Sequence, residues 1–243
     1  MYKVGSEEWI EKIKEFAGIS LIEDEDVKKA AKMLEDVEIH EEFVRLEGND
    51  YELPKYGTDE WARAYDMIVD ERLKLPEPYL MLLFPEWCYL FEKGINEGPM
   101  SEDYKKVAKD WEDDIALHIF PEEIIGLEKD FYIYMGLHHG YIRPKSLRFV
   151  NEEDAYKAPY VIHGTYDQWM EVTKGEVRII KQLMKGEMTL TGALKIIIRQ
   201  AKATRILIDI EKSIPSISVD ELGDEAFDAF KKFIKVFRAI AQI

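Results

Sequence analysis

Four of the five histidines, His118, His138, His139 and His163, fall in one stretch of this 243-residue chain. Imidazole is the commonest neutral metal ligand and titrates near neutrality, so this density raises two chemistries: metal coordination and general acid–base work. Spacing argues against a cluster. If 115–120 and 131–138 pair as a hairpin, His118 lies opposite about Phe131, several residues from His138. His138 and His139 are adjacent and point to opposite strand faces. His163 is left as the histidine able to approach one of the others. The expectation is turn or surface histidines holding no metal. Cys88, in Pro85-Glu86-Trp87-Cys88-Tyr89-Leu90-Phe91, has apolar neighbours and reads as a buried structural thiol. As the single cysteine it has no intramolecular partner. Carboxylate pairs such as Glu122 with Glu123 read as a solvated loop. There is no phosphate loop, dinucleotide glycine fingerprint or Gly-x-Ser-x-Gly elbow. No catalytic residue and no cofactor are assigned.

The elements that would position these groups are legible as changes of period. The first hundred residues read as helical. Ser6 caps a helix with Trp9, Ile13 and Phe16 on one face, 24–37 is a second, and Thr58 caps a third carrying Trp61, Tyr65 and Ile68. A further helix restarts at Pro85. The glycines and proline of 94–99 mark a boundary. Beyond it, 115–120, 131–138, 141–150 and 159–163 read as strands of an antiparallel meander, with Phe131, Ile133, Met135 and Leu137 on one face. Thr165 and Gln168 have capping-box spacing for a returning helix. The alternating run 188–191 sits between Gly186 and Gly192. The helix after Gly192 carries Leu194, Ile197 and Ile198 opposite its polar stripe. A tail helix follows with Phe227, Phe230, Ile234 and Phe237 at three- and four-residue steps. It reads as packing against the body, with a lid over a cavity or a homodimer interface as alternatives.

The most informative stretch is 164–213. His163-Gly164-Thr165-Tyr166-Asp167-Gln168-Trp169, then Leu183-Met184-Lys185-Gly186, then Met188-Thr189-Leu190-Thr191-Gly192 follow one another as strand into helix, Met-x-Gly turn, alternating strand, and glycine opening a helix. In this order, residues from about 101 to 213 resemble the sterol carrier protein type-two family. Glu187 departs from the family, where lysine often follows the turn. The resemblance implies an α+β fold with a curved, mostly antiparallel five-stranded sheet covered by helices, here with an N-terminal helical region (1–99) and a C-terminal apolar helix in the 100–243 domain. It implies non-enzymatic binding or transfer of a fatty acid, acyl chain or sterol-like ligand in an apolar cavity. The expected ligand contacts are Ile133, Met135, Leu137, Ile162, Trp169, Leu183, Met184, Met188, Leu190, Leu194, Ile197 and Ile198. Methionine suits such a pocket because its thioether chain adapts to varied shapes. The residues alone also allow an ordinary filled core. Two other functions stay open: an enzyme on a hydrophobic substrate using the N-terminal region, and a protein-association scaffold.

Composition narrows the partners. The formal charge is −16 with a sequence pI near 4.8, against a nucleic-acid partner, which needs cations to replace phosphate counterions. Apolar residues make up 47%, enough for a real core. No apolar run reaches the roughly 18 residues of a membrane span, and no signal peptide is recognised. The expected partner is a lipid-like small molecule, without stable membrane insertion, in the cytoplasm. Only seven Asn and Gln residues beside abundant Lys and Glu point to a thermophilic source.

Overall fold

The structure, a computed structural model, describes residues 1–243. Its helices are α1 (Glu7–Ala17), α2 (Asp24–Met33), α3 (Asp59–Arg72), α4 (Pro85–Glu97), α5 (Ser101–Val107), α6 (Glu152–Ala155), α7 (Tyr166–Thr173), α8 (Ile179–Lys185), α9 (Leu194–Arg199), α10 (Ala201–Glu211) and α11 (Asp224–Ala241). Its strands are β1 (Glu38–Ile39), β2 (Phe43–Leu46), β3 (Asn49–Glu52), β4 (Tyr79–Leu80), β5 (Ile115–Ile119), β6 (Phe131–Met135), β7 (Leu137–His138), β8 (Tyr141–Ile142), β9 (Arg148–Val150), β10 (Tyr160–Gly164), β11 (Thr189–Thr191) and β12 (Ser216–Ile217). The fold is α+β with a mixed sheet. The chain divides into two compact units: Met1–Glu86 with Glu123–Leu127 and Ser216–Ile243, and Trp87–Glu122 with Glu128–Pro215. The expected boundary at 99/100 therefore lies inside the second unit, and the tail helix belongs with the first.

In the first unit, α1 begins where Ser6 accepts from the Trp9 amide and α3 where Thr58 accepts from the Trp61 amide. The region is not wholly helical. β1, β2 and β3 form an antiparallel three-stranded sheet. Glu47 and Gly48 both have positive φ (47° and 77°), and they form the two-residue loop between the paired Leu46 and Asn49. That backbone matches the twist of a hairpin, which the Glu-Gly dipeptide conceals from a reading based on Asn-Gly or Asp-Gly. The tail helix is amphipathic rather than apolar throughout. Phe230, Phe233, Ile234, Val236, Phe237 and Ile240 are buried, while Asp228 and Lys235 face solvent. Its buried face packs on α2, α3 and β2, so the surface offered for a lid or a homodimer is occupied within the same unit.

This core holds one ion pair. Arg72 and Glu86 are both buried, with Nε and Oε2 2.7 Å apart in an orientation that departs from hydrogen-bond geometry. The guanidinium lies against the rings of Phe84 and Phe233, 4.4 and 5.0 Å from their centroids. It also donates to the carbonyls of Ala17 and Ile19. Burial pushes the Glu86 carboxyl upward against the opposing pull of Arg72.

In the second unit the sheet order is β11-β10-β5-β6-β9. β5 pairs antiparallel with β6, and β6 with β9, as a meander should. The expectation then fails: β10 pairs parallel with β5, on the far side from β9. Residues 141–150 are also not one strand. Tyr141–Ile142 turns back on Leu137–His138, and only Arg148–Val150 joins the main sheet. The Asn96 side chain fixes that turn by exchanging two hydrogen bonds with the backbone of Ile142.

Removing one partner of a buried pair leaves an uncompensated charge, a loss of about 3–5 kcal/mol. Arg72→Met alone is expected to lower the urea midpoint accordingly. The double change Arg72→Met with Glu86→Leu is expected to recover most of it, and equal midpoints for the single and double variants would refute this account.

Candidate functional site

The registers sort the second unit's side chains onto two sheet faces. Ile115, Leu117 and Ile119 of β5 share a face with Met135, Ile133 and Phe131 of β6, with Phe149 of β9, with Tyr160 and Ile162 of β10, and with Leu190 of β11. This is the apolar face. At its end, Gly164 supplies space that no other residue would leave: a Cβ there would stand 2.6 Å from Met188 Cε and 3.3 Å from Trp169 Nε1. Trp169 Nε1 donates to the His118 carbonyl, tying α7 to the central strand β5.

Local chemistry explains how the 164–192 segment is laid down. Thr165 and Gln168 form the reciprocal capping box, and Gln168 also donates through Nε2 to the Glu187 carbonyl. α8 ends in a Schellman turn: Gly186 is left-handed, its amide donates to Leu183, and the Glu187 amide donates to Gln182. Gly192 has φ +117°, and a Cβ there would meet the Tyr160 ring at 2.5 Å and the Pro159 carbonyl at 2.7 Å.

Of the ligand contacts expected from sequence, Ile133, Met135, Ile162 and Leu190 share the apolar face, with Trp169 and Met188 beside Gly164. Leu137 is buried in the small hairpin. Leu183 and Ile197 are buried on the contacting helices α8 and α9, where Leu194 is half-buried. Met184 and Ile198 point outward, 69% and 40% exposed.

The other face carries Ala116 and His118, Tyr132 and Tyr134, Val161 and His163, and Thr189 and Thr191. Ala155 and Ala158, in and after α6, cover its middle, packing with Ala116, Val150 and Val161. At one end Asp114 accepts from Tyr134 and Arg143, and burial followed by that carboxylate pushes the Tyr134 hydroxyl up to about 12. At the other end His118 lies opposite Tyr132, one residue from the expected Phe131, and opposite His163. His118 is buried, not a surface or turn residue, and its partner is His163. Burial, then His118, pulls His163 below the ordinary histidine value. His138 and His139 stand apart, and His139 approaches the Lys109 carbonyl and Glu112.

One buried acid escaped the sequence reading. Glu211 lies four residues after Leu207 and eight after Ala203, on the buried stripe of α10, which was the available signal. Burial alone raises its carboxyl well above the usual range.

No family model and no curated protein matches the sequence. The chain is similar to solved structures of sterol carrier protein 2 over slightly more than half its length. A crystal structure of sterol carrier protein 2 aligns at TM-score 0.48 and 27% identity, covering 55% of this chain and 98% of that one. A conserved hypothetical protein of Thermus thermophilus, described as possibly a sterol carrier protein, aligns at TM-score 0.49 and 26% identity over 58% of this chain and 94% of its own. Apo sterol carrier protein 2 from Yarrowia lipolytica aligns at TM-score 0.36 and 13% identity, covering 52% and 90%. No helix is long and apolar enough to cross a membrane.

Gly192→Ala is expected to loosen β11, with hydrogen-exchange protection lost at 189–191 and retained at 115–119. Unchanged protection would show that the glycine's φ is not required. Glu211 gives a pH signature. With the folded value above the unfolded one, its stabilising contribution is complete below the unfolded value and is lost as pH rises through the folded one. Glu211→Gln is expected to melt higher than the parent at pH 8, with the gap closing toward pH 4. A gap independent of pH would remove Glu211 as the cause.

Proposed function

We propose that the second unit reversibly binds a lipid-like molecule (a fatty acid, acyl chain or sterol-like compound) and does no chemistry on it in that site. The observation that carries the reading is the incomplete cover of the apolar side chains in 177–208. Met184 and Ile198 are exposed, and Val177, Ile180, Leu190, Leu194, Ile196, Ile206 and Ile208 are half-buried, all within this one segment. Apolar surface left open beside a buried apolar sheet face is the mark of a ligand or partner site. Met188 and Trp169, packed where Gly164 leaves room, give the site one adaptable wall and one rigid wall.

The energetics suit exchange. Each buried CH₂ contributes roughly 0.8 kcal/mol relative to water, so a long acyl chain grosses on the order of 10 kcal/mol. Ordering costs remove much of it. Against a bilayer the balance is near zero, as release to a membrane requires.

The test is titration with a fluorescent fatty acid, paired with native mass spectrometry and organic extraction. Leu190→Trp and Ile197→Trp fill the apolar layer and are expected to weaken binding by roughly tenfold, about 1.4 kcal/mol. Met184→Ser, at the exposed fringe, is expected to slow pick-up from vesicles and leave equilibrium affinity nearly unchanged. Undiminished binding in both tryptophan variants would place the ligand elsewhere, and no binding to the parent would end the carrier reading.

A further inference from the structure

On the polar face four side chains form one hydrogen-bonded line. Asp130 Oδ1 lies 2.6 Å from His118 Nε2, His118 Nδ1 lies 2.8 Å from His163 Nδ1, and His163 Nε2 lies 2.9 Å from Thr191 Oγ1. With both rings neutral, the donor directions are determined. A carboxylate only accepts, so His118 donates from Nε2 and its Nδ1 accepts. His163 must then donate from Nδ1, which leaves Nε2 to accept the Thr191 hydroxyl proton. Every proton in the line points toward Asp130.

We propose that Thr191, His163, His118 and Asp130 form a nucleophile–base relay that takes an acyl group from an activated ester. A hydroxyl within reach of a base, itself oriented by further groups, is the arrangement by which unactivated hydroxyls become nucleophiles. Thr191 is exposed and can meet a substrate, whereas His118 is buried. Partly exposed Phe120 and Tyr156 flank His163, with ring centroids 6.4 Å from its own, and offer walls to an aromatic or short apolar group. Tyr132 stacks on His118 at 4.4 Å and holds its ring. Asp130, Tyr132, Tyr156 and, bonded to Tyr132, Glu152 are the titratable groups around the pair. The depressed basicity of His163 keeps its Nε2 free of a proton at neutral pH.

The step balances without a further reagent. Thr191 Oγ forms a bond to the acyl carbon, the bond from that carbon to the leaving oxygen breaks, and the hydroxyl proton passes to His163 Nε2. His163 then gives its Nδ1 proton to His118, so the positive charge comes to rest beside the Asp130 carboxylate. The leaving oxygen takes a proton from solvent or, by the reverse transfer, from His163. Thr191 is the catalytic nucleophile and His163 the base; His118 and Asp130 are positioning residues acting through them.

The probe is p-nitrophenyl acetate with the full chain, read by nitrophenol release and by peptide mapping of the acetyl group. Acetyl is expected on Thr191, absent in Thr191→Val, retained in Thr191→Ser, and formed roughly a hundredfold more slowly in His163→Gln. The rate is expected to rise with pH through an inflection below the ordinary histidine value of about 6.5. Asp130→Asn, which removes the anion that stabilises the charged pair, moves that inflection lower still. Acetyl confined to lysines or the amino terminus, or a Thr191 rate indifferent to His163→Gln, overturns the proposal. An Asp130→Asn profile identical to the parent's removes Asp130 from the relay.

Discussion

The second unit depends on one pairing: β10 laid parallel against β5, with Tyr160 opposite Ile115 and His163 opposite His118. It makes β5 a central strand, and all five of its side chains are buried. It gives β10 a free edge that β11 occupies, so the 164–192 excursion must leave the sheet through α7 and α8 and return antiparallel. Side chains alternate along a strand, so a slip of one residue would move Ile162 to the polar face and His163 to the apolar one. The pairing therefore sets the composition of both faces at once.

The first unit is organised by a charge rather than a strand. The Arg72 guanidinium sits between aromatic rings and reaches both the carbonyls that end α1 and the carboxyl that opens α4. A lysine could not lie flat against Phe84 and Phe233, because its ammonium is a compact charge on a flexible stem and has no planar face. Phe233 also stacks on Phe16 at 4.3 Å, and Ala241 accepts from the Trp61 indole, so α11 is fixed to α1 near its middle and to α3 at its end. Buried charge is expensive, and this one is tolerated because the packing around it leaves the guanidinium few alternatives.

What the sequence made legible was local. Alternation marked a strand at 131–138, of which 131–135 joins the main sheet, 159–163 read as a short strand, Thr165 and Gln168 marked the start of α7, and Gly186 and Gly192 bounded the run that holds β11. These features arise from neighbours within a few residues. The order of strands does not: nothing in the period of 159–163 says whether it joins Val150 or Ile115, and the choice of Ile115 turned an expected meander into a mixed sheet. The same gap hid the histidines' partners, since His118 and His163 meet only through that choice. In the first unit, alternation at Val44 and Leu46 was present but short, and its turn lacked the usual residues. The apolar face of α11 was visible, but not its packing within the first unit.

The two candidate sites lie back to back on the same strands. Ile162 and Leu190 face one way; His163 and Thr191, each one residue along, face the other. The Trp169 indole, a wall of the apolar site, reaches the backbone of the other through the His118 carbonyl, and both sites share the separation and register of β10 and β11. Three paired residues hold β11, and Leu190 is the side chain it gives to the apolar face. An occupant that wedges under Leu190 must push on an edge strand with no outer neighbour. Movement there changes the 2.9 Å contact between Thr191 and His163 before it disturbs His118, which lies in the buried central strand. The Thr191 end of the proton line thus rests on an edge strand, whereas His118 and His163 in its middle are held by the pairing on which the unit is built.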